Sequence, residues 1–160
     1  MLEPRNPRFA ERVQASFDRQ TFMHTLGARL TSVTPGLVEI RLPYATALCQ
    51  QHGYFHGGVI GTLADNAAGY AAFSLMGEQD SVLTVEYKIN IVAPGRGDAL
   101  IARGQVLRPG RTLSVCESKV YALADGVEQL CATALCTLMT LAERPDAPAP
   151  PGTDQVPRPD

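Results

Sequence analysis

Asp65 sits in the middle of the chain's longest interior-like run, "YFHGGVIGTLADNAAGYAAFSLMG", Tyr54 to Gly77. On a helical wheel its neighbours at i−4, i+3, i+4 and i+7 are Gly61, Ala68, Gly69 and Ala72, all small. Burying an unpaired carboxylate costs several kcal/mol or shifts its pKa. Two readings follow. Either a helix or subunit packs closely there and hydrogen-bonds Asp65, or the missing side chains leave room for a ligand whose reacting group lies against the carboxylate. "HGG", His56 to Gly58, opens the same stretch. Two glycines let a ligand approach the backbone closely. Free N–H groups at the positive end of a helix suit an oxygen that is gaining negative charge.

Other chemistries find less support. His52 and His56 are four apart, but Gly53 and the loop composition argue against a shared helical face, so no metal site is expected. There is no GxSxG, and "GGVIGT" matches neither GxGxxG nor the P-loop. Cys49, Cys116, Cys131 and Cys136 form no CxxC pair and have no zinc-type spacing. They read as reduced thiols, with Cys131 and Cys136 as small core hydrophobes. His24 reads as a surface or packing residue.

The elements that must position Asp65 follow from periodicity. Phe9, Val13 and Phe17 make one apolar stripe, which predicts a helix over 7–24. Pro35-Gly36 divides two strand-like runs into a hairpin, and 44–55 is an irregular loop. A helix over roughly 57–76 comes next. Four strand runs follow at 81–94, 99–108, 112–124 and 127–142, the last two joined by Asp125-Gly126. Val85, Tyr87, Ile89 and Ile91 alternate with Thr84, Glu86, Lys88 and Asn90, which predicts one buried and one polar face. A helix apolar on nearly every side must be wrapped, and one curled antiparallel sheet would do it. The class is α+β.

The chain has 160 residues, 45% hydrophobic and 19% charged, with net charge −2. That is one domain's worth of core and no basic footprint for nucleic acid. No secretory signal or uninterrupted apolar span is visible, so no membrane association and a cytoplasmic location are expected. Residues 1–25 read as an N-terminal helical segment and 26–142 as the domain. Residues 143–160 hold half of the 12 prolines and read as a disordered tail.

"QQHGYFHGGVIGTLADNAAGYAA", followed by "LTVEYKINIVAPGRGD" and "GRTLSVCESKVYA", resembles the phenylacetate-degradation (PaaI-type) branch of hot-dog acyl-CoA thioesterases, from about Gly27 to Leu141. The resemblance implies a hot-dog fold: about six antiparallel strands around one long central helix, plus an N-terminal helix. It implies hydrolysis of an aromatic or short-to-medium-chain acyl-CoA, with Asp65 as nucleophile or general base. The Gly57 N–H would polarise the carbonyl. Gln50 takes an amide position that is often Asn, and Thr84 a hydroxyl position that orients Asp65 or the water. His56, Gly58 and Asn66 join them as substrate-binding residues. Sites would form between the subunits of a homodimer, paired edge to edge within a tetramer, and no cofactor beyond the substrate's own coenzyme A is implied.

Arg96, Arg108 and Arg111, in the turns "PGRGD" and "LRPGRT", are candidates for the coenzyme A phosphates, or solvated turn charges. Tyr54, Phe55 and Tyr70 suit an acyl pocket or plain core packing. Two alternatives remain at this point. A hot-dog hydroxyacyl-thioester dehydratase would need His56 as its catalytic partner. A non-catalytic acyl-CoA-binding or sensing module would bind without turnover.

Overall fold

The apolar stripe near the N-terminus forms two helices rather than one, α1 (Phe9–Phe17) and α2 (Thr21–Leu26). Tight bonds from Arg19 N–H to Ser16 O and from Gln20 N–H to Phe17 O end the first. The restart turns Met23 into the core, a residue that the four-residue step leaves off the stripe. The computed structural model describes residues 2–147.

Strands β1 (Arg29–Thr34) and β2 (Leu37–Pro43) make the expected hairpin about Gly36. A 3₁₀ turn, Thr46–Leu48, leads through a loop into helix α3 (Gly57–Phe73). Strands β3 (Ser81–Ile91), β4 (Ala99–Arg108), β5 (Leu113–Ala124) and β6 (Val127–Leu141) complete the chain. Asp125 and Gly126 both have left-handed φ, 51° and 78°, as a two-residue type I′ hairpin needs. The six strands form one antiparallel sheet in the order β1-β2-β4-β5-β6-β3. This is the hot-dog fold, with α3 as the filling.

The groove that receives α3 is cut by small side chains. Gly104, Ser118 and Ala134 lie in register across β4, β5 and β6. A Cβ on Gly104 would stand 2.2 Å from the backbone of Ala67, so only glycine lets helix and sheet come this close. Val38 continues that row on β2, and on either side of it Leu100, Val120 and Leu138 are buried in the same core as the helix.

The expected alternation along β3 is displaced by a bulge between Thr84 and Glu86. Thr84 pairs with buried Leu138 and Tyr87 with buried Cys136, so both face inward. Val85, expected on the buried face, is instead 54% exposed, because the extra residue resets the phase. After β6 the chain turns at Glu143, whose φ is 54°, and residues 144–147 run back to α1, where Arg19 binds Asp146. Of the expected proline-rich tail, residues 148–160 lie outside the described residues.

Candidate active site

Asp65 lies at mid-height on α3, half-buried, with Gly69 leaving open space one turn further on. The inward-facing Thr84 hydroxyl donates to Asp65 Oδ1 at 2.8 Å. Burial pushes the Asp65 carboxyl above its usual 3.8, and the Thr84 hydroxyl pulls part of the way back. A carboxylate raised in this way holds protons more firmly and is a better base near neutrality. Asp65, Asn66, Tyr70, Leu83 and Thr84 line one cavity of about 360 Å³. Burial first, and then the Asp65 charge, pushes the Cys136 thiol up to about 12, so it stays a neutral core group.

The second cluster lies at the start of α3. The His56 Nδ1 accepts the Gly58 N–H at 2.9 Å, and the His56 carbonyl accepts those of Val59 and Ile60. Of the first-turn donors, only the Gly57 N–H has no partner among the described residues. His56 is thus a helix cap, and its Nδ1 is committed to that cap. Gln50 Oε1 accepts the His52 N–H. A backbone N–H can only donate, so the Gln50 carboxamide oxygen must face the loop, and its NH₂ is left to turn outward. Gln50, Gly57, Tyr54 and Phe55 line a second cavity, of about 420 Å³.

Within one chain the two clusters stay apart. Eight residues of helix separate Gly57 from Asp65, about 12 Å along the axis, and the two line different cavities. Arg96 follows Gly95, whose carbonyl accepts the Phe55 N–H, so it flanks the Gly57 cluster. Arg108 and Arg111 lie at the other end of β4, a strand of 10 residues that spans about 30 Å. Tyr70 does line the Asp65 cavity, together with Ser16, Gln20 and Asp146, none of which belongs to a motif that would single it out. Asp146 is 127 positions from its partner Arg19, and no local pattern encodes that contact. Among the described residues there is no metal-ligating cluster of three or more side chains, and no helix is long and apolar enough to cross a membrane.

Residues 52–129 match the thioesterase superfamily. The crystal structure of a thioesterase family protein from Silicibacter pomeroyi is 49% identical and covers 84% of this chain and 98% of that one, with a TM-score of 0.82. The E. coli PaaI protein from the phenylacetic acid degradation operon has the same fold, with a TM-score of 0.76 at 20% identity over 86% of this chain and 96% of that one. A 1,4-dihydroxy-2-naphthoyl-CoA hydrolase of Listeria monocytogenes is 28% identical over 75% of this chain and 95% of its own length. With its small-residue groove, its central helix and these relatives, the chain belongs to the thioesterase superfamily and is a thioester hydrolase of the hot-dog fold.

Proposed function

We propose that this protein is an acyl-CoA thioesterase whose active site joins Asp65 and Thr84 of one subunit to Gly57 and Gln50 of another. The observation that carries this reading is the separation of the two clusters. Base and oxyanion donors must both lie about 3 Å from one carbonyl, whereas a single chain holds them some 12 Å apart along α3. A second copy supplies the missing half. Strand β3 is a sheet edge with its far side unpaired, and Leu83, Tyr87 and Ile91 on it are roughly half exposed. Such an apolar edge invites pairing with another strand. Antiparallel pairing of two β3 edges would place each α3 start beside the other chain's Asp65. Two such dimers would make the tetramer.

In this site the Gly57 N–H and the outward NH₂ of Gln50 donate to the thioester oxygen as it becomes an oxyanion. Asp65 either takes a proton from the attacking water or attacks the carbonyl itself, giving an anhydride that water then opens. In both routes the carbon–sulfur bond breaks, the thiolate leaves and takes up a proton, and the products are a free acid and coenzyme A. Because a thiolate leaves well, one base and one pair of donors suffice. The acyl group is aromatic or a short-to-medium chain, no cofactor beyond the substrate is used, and Arg96 is the best-placed cation for the coenzyme A phosphates.

The test is thiol release from a panel of aromatic and aliphatic acyl-CoAs. Turnover of at least one acyl-CoA supports the reading, whereas saturable binding with no turnover of any would replace it with a sensing role.

A further inference from the structure

The Asp65 cavity has a far end that the catalytic reading leaves unexplained. Gly69 and Tyr70 lie about 6–8 Å further along α3 than Asp65, and the Tyr70 hydroxyl pairs with Ser16 Oγ at 3.2 Å. Beside them, Arg19 at the end of α1 is anchored by its Nη1, which donates to Ala15 O at 2.8 Å. Its Nη2 donates both to the Asp146 carbonyl at 2.8 Å and to the Asp146 carboxylate at 2.5 Å. One guanidinium thereby ties the segment after β6 to α1, and Asp146, so held, becomes a wall of the cavity that contains Asp65. At about 360 Å³ that cavity falls at the small end of the range for ligand pockets, ~300–1,000 Å³.

We propose that the Arg19–Asp146 pair is a specificity-determining strap that sets the depth of the acyl pocket, so that compact acyl groups are accepted and long linear chains are stopped. The proposal rests on Asp65 being the reacting group, because it counts acyl length from there. The end wall is polar: Ser16, Gln20, the Tyr70 hydroxyl and Asp146 would all lose water against a long alkyl chain without gaining a partner. Its outer part is also the part that can yield. Both members of the pair are partly exposed, 42% for Arg19 and 31% for Asp146, so their attraction is weak and screened by salt. The Ser16–Tyr70 contact behind it is buried.

The test is kcat/KM along a series of linear acyl-CoAs of increasing length for the wild type, Arg19→Gln and Asp146→Ala. The wild type should show a break at which KM rises steeply. Both variants should move that break to longer chains, with affinity gained by about fourfold for each further methylene admitted. High salt should move the break in the wild type but not in Arg19→Gln, a response that a purely structural role would not give. A break at the same length in all three proteins, insensitive to salt, overturns the strap. If the wild type turns over no acyl-CoA, it is the thioesterase reading that fails. The same series is then read as dissociation constants, where a break moved by Asp146→Ala keeps the strap and an unmoved one removes it.

Discussion

Asp65→Asn separates catalysis from packing more cleanly than any other change. The amide has the shape of the carboxyl and keeps an oxygen that can accept the Thr84 hydroxyl, now at 2.8 Å. What is lost is the proton acceptor or nucleophile. A positioned general base contributes roughly 10²–10⁴ in rate, which at about 1.4 kcal/mol per decade is ~3–5 kcal/mol of transition-state stabilisation. The expected loss in kcat is of that size. Stability should move the other way. Burial holds the folded carboxyl above 3.8, so the folded chain binds this proton more tightly than the unfolded chain does. The contribution of Asp65 to stability is therefore fully present below pH 3.8 and is lost as pH rises through the folded value. Asparagine carries no such pH-dependent loss. The variant should melt at the same or a higher temperature than the wild type at neutral pH, with the gap closing on acidification. The assays are thiol release and thermal melts at neutral and acid pH. Undiminished kcat would sink the catalytic role. A melting point lowered equally at both pH values would show that Asp65 is a structural hydrogen-bonding partner instead.

Mixing tests the shared site. Asp65→Asn and Gln50→Ala chains, each nearly inactive alone, should regain about a quarter of wild-type activity after random re-association, because half of the dimers then carry one intact site of two; no recovery in proven mixed dimers would place both groups in one chain's site. Thr84→Val removes the hydroxyl that holds the Asp65 carboxyl down, so the acid limb of the kcat/KM profile should shift to higher pH; an unmoved limb would separate Thr84 from the reacting carboxylate. Gly104→Ala forces a Cβ to within 2.2 Å of the α3 backbone, and overpacking of this kind costs about 1–3 kcal/mol or more. A thermal melt should show the loss, and an unchanged Tm would mean that the helix is not seated on β4 as described.

Local grammar made most of the fold legible. The Asp125-Gly126 turn, the Pro35-Gly36 hairpin and the start of α3 at Gly57 are each encoded by residues that few other conformations accept. Phe9, Val13 and Phe17 did mark a helix, but Met23 needed burial on a different line, and the stripe had to break to supply it. In the site, Asp65 stood out because a carboxylate among glycines and alanines is expensive without a purpose. His56, also singled out, is a cap. Asp146 was illegible. Its role depends on a chain reversal at Glu143 and on one arginine 127 positions away, and neither has a local signature.

The β3 bulge shows why even a legible strand can hide its function. Residues 84 and 87 are an odd number apart, so in a regular strand they must face opposite sides of the sheet. Both are needed on the helix side. Thr84 reaches Asp65, and the Tyr87 hydroxyl covers α3 so closely that a Cβ on Gly61 would stand 3.3 Å from it. One extra residue, Val85, reconciles the two and is itself pushed into the open. The same bulge therefore aims the Asp65 partner inward and exposes an apolar side chain on the free sheet edge where a second subunit would dock. On the proposed shared site, a single insertion in one strand would set both the aim of Thr84 toward Asp65 and the apolar contact with a second subunit, which places the exposed valine next to Thr84 rather than elsewhere on the edge.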